Sequence, residues 1–212
     1  MKSIRPGLAV VLVFAAASFA ARAARADDDV SFGRSGAYLG VGASRSFNVI
    51  ESYLSGTPIL ENIKVSDSWG VNTRAGYHLG SWFALEGEYE WLHPFNARVR
   101  NADLGSISFQ SFSMNARVIL PIWRFQPYLL LGAGALFSKT DTPFGALQVE
   151  PTAFAGRIGV GLDAYLTQNL YLNLGIEGVV SPARIAIVTG LGTASTHGLG
   201  TATFQFGLGW HF

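Results

Sequence analysis

From residue 37 to the carboxy terminus, apolar and small or polar side chains alternate with period two in eight separate segments. Such alternation marks strands with two chemically different faces. The first carries Ala37, Leu39, Val41 and Ala43 on one face against Tyr38, Gly40, Gly42 and Ser44. Trp69 to Leu79, Phe83 to Trp91, Phe112 to Leu120, Phe154 to Ala164, Leu170 to Ile176 and Ala202 to Phe212 repeat the pattern. Two segments are less regular. Ile107 and Phe109 fall on the opposite parity to Phe112, which predicts a β-bulge near Gln110. Around the consecutive Leu129, Leu130 and Leu131, the odd-numbered positions through Ala135 are placed outward, leaving Gly132 and Gly134 inward. Connections near Gly80, Ile122 and Gln168 are short, whereas 46–67, 92–106, 138–152 and 181–200 are long. The layout is an all-β, eight-stranded antiparallel up-and-down barrel with turns at one end and loops at the other.

Charge decides which face meets lipid. The apolar faces of these segments contain no Lys, Arg, Asp or Glu, while the opposite faces carry Arg74, Glu86, Glu88, Glu90, Arg117, Arg157, Asp163 and Glu177. A basic side chain turned toward mid-bilayer costs roughly 2 to 4 kcal/mol, so a transmembrane barrel sorts its charges into the lumen. A soluble carrier of the lipocalin type sorts the other way, with an apolar interior. Aromatic residues are expected to form two interfacial belts, with Tyr77, Phe83, Tyr165, Trp210 and Phe212 at the short-turn end. Trp69, Trp91, Phe112, Phe137 and Phe154 would form the second, toward the loops.

Residues 1–26 read as a secretory signal: Lys2 and Arg5, an apolar stretch from Gly7 to Ala21, then Ala24-Arg25-Ala26 as a cleavage site before Asp27. Residues 27–212 form the expected barrel domain. Removing Lys2, Arg5, Arg22 and Arg25 from the 15 Lys and Arg leaves 11 against 14 Asp and Glu, a mildly acidic chain that offers nothing to a nucleic acid. The run Asp27 to Asp29 is expected to be a solvated tail. With no cysteine, disulfides, thiolate metal sites and cysteine nucleophiles are excluded.

The terminus Gln205-Phe206-Gly207-Leu208-Gly209-Trp210-His211-Phe212 follows polar-x-Gly-x-x-aromatic-x-aromatic and ends on Phe. With GAYLGVGAS at 36–44 and GVGLDAYLTQNLYLNLGIE at 159–177, it makes the chain resemble the OmpA-like and opacity-type outer-membrane β-barrel proteins. The resemblance implies residence in the outer membrane of a Gram-negative bacterium, among outer-membrane lipid and lipopolysaccharide. It also implies an assembly signal at Gln205, Gly207, Trp210 and Phe212 that the barrel-assembly machinery reads. No peptidoglycan-binding domain follows, so cell-wall anchoring is not expected.

An eight-stranded interior is about filled by side chains. The eight lumen charges are therefore expected to form ion pairs, with Arg74 level with Glu86 and Glu88, Arg117 on the neighbouring strand and Arg157 diagonal to Glu177. The competing reading of the same residues is a cation path along Glu86, Glu88 and Glu90. Catalysis lacks a constellation. None of His78, His93, His197 and His211 stands two residues before a Ser, the spacing associated with outer-membrane lipid A deacylases. His78 and His211 are placed in the lumen near the short turns, and no metal site or cofactor is expected. The pairs Gly40-x-Gly42 and Gly159-x-Gly161 lie inside strands with no helix to follow, which excludes a nucleotide loop. Loop 46–67, with Val49, Ile50, Tyr53, Leu54, Ile59, Leu60, Ile63 and Val65, and loop 181–200, with Ile185, Ile187 and Val188, are unusually apolar. They either extend strands and cap the mouth or form a patch for an unknown surface ligand. The function expected is structural and surface-interacting, without enzymatic activity; the alternative is a narrow channel for ions or small solutes, apolar ones included.

Overall fold

The computed structural model describes residues 32–48, 63–65, 67–99, 102–141, 147–189 and 192–212. Side chains are described except at 48, 63–65, 96–99, 102–105, 147–149, 184–189 and 192–199. The expected export segment Met1 to Ala26, the run Asp27 to Asp29 and Val49 to Leu60 of the first loop lie outside the described residues, as do the side chains of Ile63, Val65, Ile185, Ile187, Val188 and His197.

Alternation along the chain becomes ten strands: β1 Gly36–Asn48, β2 Ile63–Val65, β3 Ser68–His78, β4 Phe83–Val99, β5 Ala102–Ile119, β6 Phe125–Asp141, β7 Leu147–Val149, β8 Thr152–Tyr165, β9 Leu170–Thr189 and β10 Gly192–His211. Eight of them pair with sequence neighbours in the order β1-β3-β4-β5-β6-β8-β9-β10, all antiparallel. The ring closes where β10 pairs with β1 from Tyr38↔His211 to Asn48↔Thr201. Closure pairs both edges of the eight crossing strands within the bilayer, a medium that offers no water to an unpaired amide, so the fold is the expected transmembrane barrel. Among the described residues no helix is long and apolar enough to cross a membrane; the strands do it. The two short strands extend their neighbours upward. β2 prolongs the β3 ladder on β4, pairing Ile63↔Val99, and β7 prolongs the β8 ladder on β9, pairing Leu147↔Ile187.

The three short turns lie at one end, where Leu79 N–H donates to the Phe83 carbonyl, Ile122 bridges Phe125, and Leu166 N–H donates to the Leu170 carbonyl. At the other end the expected long loops are mostly strand. Residues 92–99 and 102–106 belong to β4 and β5, and 181–189 and 192–200 to β9 and β10. A crossing needs about 9 to 11 residues. The 20 residues of β9 and of β10 therefore carry a paired hairpin well beyond the bilayer.

The expected bulge near Gln110 is not there. β5 pairs β6 without interruption from Ser106 to Ile119, and Ile107 and Phe109 simply point inward. The irregularity sits across the strand pair, in β4, between Leu92↔Phe109 and Phe95↔Ile107. Pro94 stands inside that shift and has no N–H to give to the ladder. The parity of Ile107 and Phe109 has a different cause: near the loop end, the inward face itself becomes apolar.

Outward faces are lipid-like throughout the crossing. Trp69, Trp91, Phe112, Phe137 and Phe154 are exposed toward the loop end, and Tyr77, Phe83 and Trp210 toward the turns. Tyr165 departs from the expected belt. It points into the lumen, 3% exposed, and its hydroxyl meets His211 Nδ1 at 3.1 Å. Among the described residues, outward charge on the strands stands at the loop-end rim, with Arg45 beside Phe47 and Trp69 and with Lys139 beyond Phe137, and Arg124 is exposed in a turn at the other end. Eight strand residues separate Ala37, level with Tyr77, from Arg45, a rise of about 20 Å at usual strand pitch and tilt, close to the height of the apolar band.

Candidate functional site

The lumen is built by the inward positions of all eight crossing strands. Arg74 on β3, Glu86, Glu88 and Glu90 on β4, Arg117 on β5, Arg157 and Asp163 on β8 and Glu177 on β9 all point into it, each 4% exposed or less. They gather around two arginines. Arg117 reaches Glu86 Oε2 at 3.2 Å and Asp163 Oδ2 at 2.5 Å, with its guanidinium 3.7 Å from the centre of the Tyr128 ring. One layer up, Arg157 reaches Glu177 at 2.7 Å, Glu88 at 3.0 Å and Glu90 at 3.2 Å, and also donates to Ser111 Oγ at 2.7 Å. Arg74 lies across the β3–β4 ladder from Glu88, yet its guanidinium donates to Gln205 Oε1, whose amide in turn donates to Glu88 at 2.9 Å.

Neutral side chains complete the plug. Tyr38 donates to Glu86 at 2.8 Å, Asn115 bridges Glu86 and Glu88, and Asn173 donates to Asp163 at 2.6 Å and to the Tyr128 hydroxyl at 3.0 Å. Tyr38, Tyr128 and Tyr171 each lie over an inward glycine of a neighbouring strand. A Cβ at Gly76 would come within 2.5 Å of Tyr38 Cζ, one at Gly161 within 2.4 Å of Tyr128 Cζ, and one at Gly209 within 2.0 Å of Tyr171 Cζ. The inward glycines are thus the sockets that let three rings fill a narrow lumen.

At the turn end, His78 and His211 stack with ring centroids 4.7 Å apart, between Tyr38 and Tyr165. Phe32 is buried across this mouth against Tyr165 and Trp123. Toward the loops the lumen lining turns apolar: Leu92, Phe95, Ile107, Phe109, Leu136 and Val179 are all buried, with Phe95 and Phe109 edge to face at 5.5 Å. Between the apolar and charged layers lies a cavity of about 20 Å³, room for one or two water-sized species, against Glu90, Leu92, Phe109 and Ser111. Alternation reveals neither the Tyr–Gly sockets nor this apolar lining, because both arise between strands rather than along one. The one available signal was the inward parity of Ile107 and Phe109.

The terminal strand closes the structure. Gln205 joins the charge network, a Cβ at Gly207 would come within 2.7 Å of the Val41 carbonyl oxygen and 3.0 Å of Gly42 Cα, Trp210 faces outward, and the Phe212 amide donates to the Ala37 carbonyl at 2.8 Å.

Residues 7–212 match the family model of the outer membrane protein beta-barrel domain. The chain belongs to that family. Among solved structures the barrel is similar to OprG from Pseudomonas aeruginosa, with a TM-score of 0.62 at 16% identity over 86% of this chain and 99% of that one. It is also similar to AlkL, solved in lipid bilayers, with a TM-score of 0.61 at 12% identity over 89% and 95% of the two chains. Neisserial surface protein A gives a TM-score of 0.54 at 14% identity over 84% and 97%. At these identities the likeness is one of fold. No curated protein matches the sequence. The protein is therefore an integral outer-membrane barrel, with the lumen and the loop-end rim as its two candidate working parts.

Proposed function

We propose that the barrel is a non-conducting, non-catalytic anchor whose working surface is the strand extension and loops at its outer end. The observation that carries this reading is the filled lumen: among the described residues eight charged side chains, four tyrosines and five amide side chains are buried in continuous layers across its width. Ions would have to pass through Arg117 and Arg157, each held by two or more carboxylates, and breaking a buried pair costs on the order of 3 to 5 kcal/mol. The outer rim fits the same role. Paired hairpins standing above the bilayer are stiffer platforms for recognition than free loops. Arg45, flanked by Phe47 and Trp69 at 5.3 Å from each ring, suits contact with headgroups of the lipopolysaccharide leaflet. Assembly is assigned to the barrel-assembly machinery reading β10 through Gln205, Gly207, Trp210 and Phe212.

A second reading is supported by the apolar lining of Leu92, Phe95, Ile107, Phe109, Leu136 and Val179: an entry vestibule for small apolar solutes. Single-channel recording of the refolded barrel in a planar bilayer tests the anchor. Electrical silence is expected, both for the wild type and for Glu88→Gln. Discrete steps that change with Glu88→Gln would overturn it. Uptake of a small apolar solute into proteoliposomes that carry an electrically silent barrel would favour the vestibule.

A further inference from the structure

At its turn end the lumen is covered by residues that belong to no strand. Residues 32–35 precede β1, yet Phe32 is buried, with its ring on Tyr165 at 5.6 Å and edge to face with Trp123 at 6.3 Å. The Arg124 guanidinium lies over both rings, 5.4 Å from Phe32 and 5.1 Å from Trp123. Gly33 then threads between two turns. A Cβ there would come within 3.0 Å of Ser81 Cβ and 3.2 Å of Pro121 Cβ, so a side chain at this position would press the segment off its seat. The third turn is tied in through Arg124, whose Nη1 donates to the Leu166 carbonyl at 3.4 Å, while Arg34 Nη2 donates to the His211 carbonyl at 3.4 Å. The segment lies across the ring of turns.

Two features set it apart from the layers above. Among the described residues Trp123 is the one non-glycine with a positive φ, 50°, a conformation that costs an L residue free energy and persists where its surroundings impose it. In that turn the Trp123 ring stands against Phe32. The second feature is the kind of hold. The segment's side chains grip by one apolar ring, a cation–π contact and a 3.4 Å hydrogen bond, and the β1 ladder on β3 begins only at Gly36↔His78. The charged layers sit on strands and are locked by ion pairs, whereas residues 32–35 can swing away with every ladder and ion pair intact.

We propose that residues 32–35 form a hinged strap, latched by Trp123 and Arg124, that opens the lower lumen to the periplasm without unfolding the barrel. The short turns mark the periplasmic end. Opening uncovers Tyr165 and, behind its hydroxyl, the stacked rings of His211 and His78, each of which keeps a nitrogen with no hydrogen-bond partner, Nε2 and Nδ1 respectively. Access ends at Arg117, whose pairs with Glu86 and Asp163 stay closed. The strap therefore acts whether or not the lumen conducts, and independently of what the outer rim binds.

The test is carbethoxylation by diethyl pyrocarbonate of the refolded barrel in detergent micelles, read residue by residue by mass spectrometry, for the wild type, Phe32→Ala and Trp123→Gly. His93, exposed at the loop end, is the internal reference. A strap open at most about one-tenth of the time protects what lies beneath it in proportion. His78 and His211 should therefore react far more slowly than His93 in the wild type, and on the order of 10-fold faster in Phe32→Ala than in the wild type. That faster rate should stay flat at low urea, since a swinging strap exposes little surface. Trp123→Gly removes the latch ring at a φ that glycine adopts freely, so it should fold and quicken the same two histidines even if Phe32→Ala does not refold. Wild-type rates already equal to that of His93 overturn the proposal, and so do variants in which neither histidine quickens. A variant rate that climbs steeply from the first addition of urea overturns it too, because reaction then runs through global unfolding.

Discussion

Arg117 shows how much one side chain can hold in a closed lumen. It is fully buried, its two ion pairs reach β4 and β8, and its guanidinium lies on the Tyr128 ring of β6, so four strands meet at one residue. Replacing it by Met strands Glu86 and Asp163 without a counter-charge, and the expected loss is about 3 to 5 kcal/mol in the unfolding free energy. Adding Glu86→Gln and Asp163→Asn to Arg117→Met should restore most of that loss, because the penalty comes from carboxylates left unpaired rather than from the pair itself. Urea titration of the four proteins in lipid vesicles measures both effects. A triple variant no more stable than Arg117→Met alone would place the cost in lost packing on Tyr128 instead.

Among the elements, β9 and β10 carry the clearest division of labour. From Leu170↔Trp210 up to about Gly178↔Ala202, their ladder lies within the crossing and pairs on both sides. Above Gly200, β10 is paired to β9 and, among the described residues, to no other strand. The upper hairpin is therefore dispensable for closure. Replacing residues 184–197 by a two-residue Asn-Gly turn should leave a barrel that still migrates as a compact form when unboiled on a denaturing gel, with any surface binding reduced or lost. Failure to form the compact species would mean that the extension helps the barrel close. β4 is different, because Pro94 and the register shift around it occur where the lumen turns apolar. The ladder is loosened just as the chain leaves the layer of charged plugs.

At the scale of the whole molecule, closure depends on the last strand. Phe212 ties its amide to Ala37, the His211 backbone carbonyl accepts from Asn169 Nδ2, and the His211 ring faces the lumen beside Tyr165 and His78. Phe212 itself is only part-buried, so Phe212→Ala should change the stability of the barrel refolded in vitro by about 1 kcal/mol or less. The same substitution should sharply lower the amount that reaches the outer membrane in cells, if β10 is the strand the assembly machinery reads. Fractionation of the cell envelope beside an in-vitro unfolding titration separates the two effects. Normal envelope levels would remove Phe212 from the assembly signal.

Period two was enough to assign faces. In hydrocarbon the outward side chains must be apolar, and a barrel wall has only two sides, so the eight charges had one place to go; Glu86, Glu88 and Glu90 show this within a single strand. Strand length was less legible. Beyond the bilayer the outward face is released from the lipid constraint, and segments such as 181–189 and 192–200 stop alternating as membrane strands do while their backbones remain paired. Pairing inside the lumen was the least legible part. Arg74 and Gln205 are 131 residues apart, and Arg117 and Asp163 are 46 apart. Which acid each arginine meets depends on the stagger between strands and on where Gly76, Gly161 and Gly209 admit a ring. The sequence by itself determined an outer-membrane barrel with its charges inside, because one strand's alternation already carries the choice between lipid and lumen. Only the tertiary structure decided the two arginine clusters, the three tyrosine sockets and the apolar upper lining, because each is a contact across the lumen between strands distant in the chain.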